Sequence, residues 1–171
     1  MKRIIVTDSG LGGINVMANA FNQLKRIKTY PEVELIFFNA LPDEQFGYNQ
    51  LESLSEKVRI FATVLKSIDE NYHPDNILIA CNTLSVVYNS IDLNLRERLP
   101  VTGILETGVK MIFDKLKNDT DSHVIIIGTP TTINSRQHET ELINKGVEPS
   151  RIISVPCLLL ESVIQNNPDS P

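Results

Sequence analysis

Two short polar turns in this chain carry side chains able to move a proton: Asp8-Ser9-Gly10-Leu11-Gly12-Gly13 and Ala80-Cys81-Asn82-Thr83. Each follows an apolar run, Ile4-Ile5-Val6 or Ile77-Leu78-Ile79, and each leads into a helical pattern. A carboxylate at Asp8 can assist a proton transfer or pair with an ammonium group. The glycines let backbone N–H groups approach an anion at a helix N-terminus, with Ser9 adding a hydroxyl donor. The same turn equally suits a tight strand-to-helix connection in which Asp8 caps the helix. At Cys81, a thiol at the start of a helix is expected to have a lowered pKa and to act as a nucleophile or base. Its alternative is an inert buried cysteine. Asn82 and Thr83 would cap the helix or donate hydrogen bonds to a carboxylate.

A third candidate stands at Gly128-Thr129-Pro130-Thr131-Thr132. Pro130 suits the first turn of a helix. Thr129, Thr131 and Thr132 are hydroxyl donors at this strand end, and capping explains one of them but not obviously three. Glu106 also follows a strand and reads as a capping or solvated acid. Other chemistries lack their parts. There is no Gly-Lys-Ser/Thr of a phosphate loop and no GxGxxG. Gly10 stands where an aspartyl phosphotransferase with Mg²⁺ would want a second acid. His73, His123 and His138 are scattered and are not at ligand spacing from Cys81 or Cys157, so no metal is expected.

These turns must be held by strands and helices. Strands are expected at residues 2–7, 33–38, 76–80, 101–105, 123–127 and 151–155. Between them the apolar residues recur at helical spacing, most clearly at Leu51, Leu54, Val58, Phe61, Leu65 and Ile68. Leu84, Val87, Ile91 and Leu95 predict one further helix. Another is expected from about Pro130 to Lys145, where Gly146 suits its stop, and Leu158 to Gln165 reads as helical. Strand and helix alternating in this way predict an α/β fold with parallel sheets flanked by helices. In such sheets, ligands sit at turns beyond the carboxyl ends of the strands. The Asp8 and Cys81 turns therefore read as two walls of one pocket. The Pro- and Gly-containing loop Asn39 to Asn49 is long enough to be functional.

The formal net charge of −5 and the absence of any Lys/Arg run argue against nucleic acid or an anionic membrane as partner. A small anion held by backbone N–H groups remains compatible with that charge. With 42% apolar residues over 171, the chain can bury a real core. It has two cysteines, no CxxC, no secretory h-region and no apolar run of membrane-spanning length. A cytoplasmic protein with reduced thiols is the expectation.

Together the two turns strongly resemble those of the glutamate racemases, in the aspartate/glutamate racemase superfamily. Phe46-Gly47 stands where that family has Tyr-Gly in a Pro-Tyr-Gly loop. Gly103-Ile104-Leu105-Glu106-Thr107-Gly108 is similar to its Gly-Val-Ile-Glu-Pro-Gly. Ile127-Gly128-Thr129 with Thr132, Ile133 and Ser135 is similar to its Gly-Thr-x-x-Thr-Ile-x-Ser. The resemblance covers essentially the whole chain. It implies two similar flavodoxin-like lobes with the active site between them, here residues 1–99 and 100–171, the first incomplete at its C-terminus. It implies cofactor-independent, two-base racemisation of glutamate for peptidoglycan synthesis. Cys81 would be one base, with Asp8 assisting its proton traffic. Ser9, Phe46, Gly47, Asn82, Thr83, Thr129 and Thr132 would hold the substrate.

Departures from the family pattern set further expectations. The family's second base lies in a C-terminal Gly-Cys-Thr-His segment that this chain lacks. Cys157 matches a non-catalytic position. Phe46 and Gln45 replace a Tyr and a Pro, and Tyr48 stands where a small residue is usual, which would narrow the pocket. The expectation is the N-terminal portion of a racemase, unable to racemise alone; a natural protein with this end would have to bury the uncovered face by repacking or in a homodimer. The alternative is a non-catalytic module that binds an acidic amino acid on the same fold.

Overall fold

The computed structural model describes residues 1–27, 32–41, 47–159 and 163. The chain divides into two compact units, Met1–Ile104 and Leu105–Pro171. The expected division at residue 99 falls before a strand that is hydrogen-bonded to the first unit, which is why the units part five residues later.

The first unit contains β1 (Lys2–Asp8), α1 (Gly12–Ile27), β2 (Val33–Asn39), a 3-10 turn (Tyr48–Gln50), α2 (Leu54–Tyr72), β3 (Asn76–Ile79), α3 (Asn82–Tyr88), α4 (Leu93–Arg98) and β4 (Val101–Gly103). Its four strands form an all-parallel sheet in the order β2-β1-β3-β4. Side chains alternate across the sheet. Ile5, Ile77 and Ile79 fall on one face and meet Phe61, Leu65 and Ile68 of α2 and Leu84 and Val87 of α3 in a single buried cluster. On that face Phe38 also packs edge-on against Tyr72. Val6 and Phe37 lie on the opposite face, where α1 packs on β1 and β2. Apolar strands covered on both sides are what a parallel sheet requires.

The α2 stripe forms as its spacing predicts, but the helix starts at Leu54, not Leu51. Ser53 caps it by accepting from the Glu56 N–H at 3.2 Å, and His73 ends it in the left-handed conformation at φ 45°. The single helix expected over residues 84–95 is two. Backbone turns at Ser90 and Ile91 close α3, and the Asp92 carboxylate restarts the chain by capping α4 through the Asn94 N–H.

The second unit contains α5 (Leu105–Leu116), β5 (Val124–Gly128), α6 (Pro130–Asn134), α7 (Gln137–Asn144), a 3-10 turn (Pro149–Arg151) and β6 (Ile152–Pro156). Strands β5 and β6 pair in parallel. Leu105, Val109, Leu116, Ile133, Leu142 and Val147 are its buried apolar residues among those described. The helix expected from Pro130 to Lys145 is also broken, at Arg136, whose φ is 54°. The Ser135 hydroxyl donates to the Thr132 carbonyl at 2.6 Å and completes the break. Gly146 ends α7 at φ 94°, its N–H bonded to the Ile143 carbonyl and that of Val147 to Leu142. Two bonds of this kind around a left-handed glycine satisfy the last carbonyls of a helix. The helix expected at Leu158–Gln165 lies largely outside the described residues.

The expected α/β class, with parallel sheets flanked by helices, is what the chain adopts. No helix among the described residues is long and apolar enough to cross a membrane.

Candidate functional site

The strand order places the Asp8 and Cys81 turns side by side. From β1 the chain moves outward to β2, and from β3 it moves the other way to β4. The point where a doubly wound sheet reverses direction opens a crevice at the carboxyl ends of the two central strands. Here those strands are β1 and β3. Ser9 follows the first and Cys81 closely follows the second, and their Oγ and Sγ atoms are 3.2 Å apart.

Asp8 is 7% exposed and uses its carboxylate locally, Oδ2 accepting from the Gly13 N–H at 2.6 Å. The capping reading of Asp8 is therefore physically real, and it bears on the glycines. A Cβ at Gly13 would lie 2.8 Å from the Asp8 Cβ and 3.0 Å from the Phe37 ring. Gly13 is thus required for close packing, and its N–H already has a partner inside the turn. It does not face an anion as the sequence reading had the turn's glycines do.

Cys81 is the N-cap of α3, its Sγ accepting from the Leu84 N–H at 3.5 Å. The expected lowering of its pKa is overturned. Burial pushes the thiol up, and the nearby Asp8 charge adds to this, while the hydrogen bonds from Ser9 and Leu84 pull the other way. The helix dipole of a seven-residue α3 is a fraction of a charge. Desolvation of a thiolate outweighs it. The resting thiol is therefore neutral, and ionisation depends on what arrives beside it.

Of the remaining residues, Thr83 is buried at the start of α3 and Asn82 is exposed beside it. Gly47 precedes the 3-10 turn and donates its N–H to the Gln50 side chain at 2.7 Å. Phe46 lies outside the described residues. Tyr48, expected to narrow the pocket, is 1% exposed and packs edge-on against Phe61 in the core. One residue had no signal in the sequence reading. Ser85 of α3 accepts from the Ile104 N–H at 3.2 Å, and its Oγ would sit 2.9 Å from a Cβ at Gly103. That contact seats β4 against α3, and only the glycine at the strand end hints at it.

Thr129 and Thr132 belong to the second unit and are described there on their own. Thr129 caps α6 by accepting from the Thr132 N–H at 3.3 Å, and its hydroxyl donates to the Thr132 hydroxyl at 3.0 Å. Cys157, beyond β6, donates its N–H to the Gly128 carbonyl at 2.8 Å. Both cysteines are free thiols.

A partly exposed thiol, a hydroxyl in contact with it and a buried carboxylate nearby can exchange a proton with a small molecule in the crevice. Known proteins with similar chains bear on what that molecule is. A glutamate racemase of Hydrogenobaculum sp. is 32% identical over 142 residues, covering 82% of this chain and 49% of that protein. One from Campylobacter jejuni is 27% identical over 146 residues, covering 84% and 53%. The crystal structure of glutamate racemase from Francisella tularensis in complex with D-glutamate superposes with a TM-score of 0.76 at 26% identity, covering 99% of this chain and 58% of that one. The C. jejuni racemase structure has the same TM-score at 23% identity and shows the fold. The chain spans about half the length of the curated relatives it matches. No family model matches it. Over most of its length this chain resembles the glutamate racemases.

Proposed function

We propose that the Cys81 turn is one half of a cofactor-independent glutamate-racemising site. Cys81 exchanges the proton at the α-carbon of glutamate, with Ser9 and Asp8 governing the proton on its sulfur. The observation that carries this reading is the Ser9–Cys81 contact of 3.2 Å at the reversal point of the sheet. Similarity to a racemase whose structure was determined with D-glutamate supports the choice of substrate.

Each group has a task set by its surroundings. The α-proton of an amino acid is far less acidic than a thiol, so a thiolate base needs a water-poor site with donors aimed at the developing charge. Ser9 and the Leu84 N–H already address the sulfur. Asp8 opposes its ionisation and so favours return of the proton. Asn82 and Thr83 supply amide and hydroxyl donors on the same unit, whereas the Gly47 N–H is taken by the Gln50 side chain and the substrate role of Gly47 rests on resemblance. The substrate roles of Phe46, Thr129 and Thr132 rest on resemblance alone, as do the supply of D-glutamate for peptidoglycan synthesis and a cytoplasmic location. Cys157 is not a base in this reading, so the 171-residue chain exchanges one enantiomer without interconverting both.

The neutral resting thiol favours a second reading, an acidic amino-acid-binding module without catalysis. One experiment separates them: deuterium incorporation at the α-carbon of L- and D-glutamate in D₂O, followed by NMR, with calorimetry of binding. The racemase reading predicts exchange of one enantiomer, lost in Cys81→Ala and kept in Cys157→Ala. Binding without exchange of either enantiomer would leave the module. Racemisation by this chain that survives Cys157→Ala would show that the second base lies elsewhere in it.

A further inference from the structure

Tyr48 is a buried polar group that the reading above does not use. It opens the 3-10 turn after Gly47 and is 1% exposed. Its ring sits at 89° to that of Phe61, with centroids 6.3 Å apart. Tyr48, Ala40, Ile79 and Leu84 are members of one buried cluster, and Cys81 packs against it. The hydroxyl is buried without a hydrogen-bond partner among the described residues. A phenol hydroxyl normally finds a partner when it is taken out of water.

We propose that the Tyr48 hydroxyl is a positioning residue for Cys81, a buried donor that turns to the sulfur when the thiol ionises. The sulfur has donors in the Ser9 hydroxyl and the Leu84 N–H. A thiolate accepts more hydrogen bonds than a thiol, and charge-assisted bonds are the stronger kind. The phenol keeps its proton throughout, because burial and then the Cys81 charge hold its pKa well above the ordinary value. It is therefore a donor at neutral pH. Burial and Asp8 from β1 oppose the ionisation, and Ser9 and Leu84 favour it; in this proposal Tyr48 joins the second set. The inference rests on Cys81 being a proton-transferring thiol.

The test is the rate of Cys81 alkylation by iodoacetamide against pH in Cys157→Ala, with and without Tyr48→Phe. Phenylalanine keeps the ring and its contact with Phe61 and removes only the oxygen. The expected result is an upward shift of the Cys81 profile by about half to one pH unit. Alkylation below the pKa would then be slower by roughly three- to tenfold. The melting temperature should be equal or higher, because an unpartnered buried hydroxyl is lost. A Tyr48→Phe profile that superposes on the parent overturns the proposal and leaves Tyr48 a packing residue. Should the substitution perturb folding, the Tyr48 ring-carbon NMR shifts of Cys157→Ala against pH decide instead: they move with Cys81 ionisation if the hydroxyl turns to the sulfur and stay flat through it if Tyr48 only packs. Neither readout uses glutamate. A shifted thiol profile with failed deuterium exchange therefore overturns the exchange reading and leaves the Tyr48–Cys81 bond without a catalytic use, whereas an unchanged thiol profile overturns this inference and leaves the exchange reading standing.

Discussion

At the carboxyl ends of β1 and β3 stand Ser9 and Cys81, and at those of β5 and β6 stand Thr129 and Cys157. Both are neighbouring parallel strands, and in both a hydroxyl follows one strand and a cysteine the other. Their connections differ. Ser9 touches the Cys81 sulfur, and the sulfur caps α3. Thr129 instead bonds to Thr132 and caps α6. Cys157 is tied to β5 through its backbone N–H. The difference teaches that position in the fold does not by itself make a thiol reactive. What distinguishes Cys81 is that a hydroxyl, a backbone N–H and a carboxylate all act on its sulfur.

The largest test of that contrast substitutes the glycines of the two ends. Gly13→Ala forces a Cβ into Asp8 and Phe37, and overpacking of this kind costs about 1–3 kcal/mol. Gly128→Ala places a Cβ 3.5 Å from the Ile133 side chain, an ordinary contact, and should cost far less. Urea unfolding of the two variants measures the gap, and equal losses would break the contrast.

The hydroxyls come next. Thr129→Ala removes a helix N-cap, worth about 1 kcal/mol, and should leave Cys81 alkylation untouched. Ser9→Ala should raise the Cys81 pKa, because the largest of the hydrogen-bond effects that lower it is lost. Alkylation profiles and thermal melts of both variants, measured side by side, show whether the two losses separate in this way.

The smallest effect is on stability against pH. The folded pKa of Cys81 is raised above the ordinary thiol value of 9.0. Above that value the unfolded chain releases the proton while the folded chain retains it. Stability conferred by the neutral buried thiol is therefore full below about 9.0 and is lost as the pH rises toward the folded pKa. Cys81→Ala should flatten this alkaline decline. Denaturant melts across that window check it, and a decline undiminished in Cys81→Ala would contradict the assigned direction.

Much of this arrangement was legible in the residues. Apolar runs followed by small polar turns located the strands, and the alternation of strand and helix implied parallel sheets. The proximity of Ser9 and Cys81 was legible only as a motif pair, because 72 residues separate them and strand order decides whether they meet. Helix breaks were hidden where the apolar stripe ran on across them. Ile91 and Leu95 continue the α3 pattern in register, yet Asp92 restarts the chain as a cap. At Arg136 a left-handed residue without glycine gave no warning. The sign of the Cys81 shift is hidden for a simpler reason: a helix start is visible in sequence, whereas burial of the sulfur depends on its packing against the buried cluster of the first unit.

The most direct measurement is site-resolved alkylation of the unmodified chain by mass spectrometry, with and without glutamate. Both thiols report from the same molecule, so the comparison is internal. A glutamate site at the reversal point of the first sheet predicts that glutamate slows labelling of Cys81 and leaves Cys157 unchanged. Equal labelling of Cys81 with and without glutamate, or protection of Cys157 alone, would contradict it.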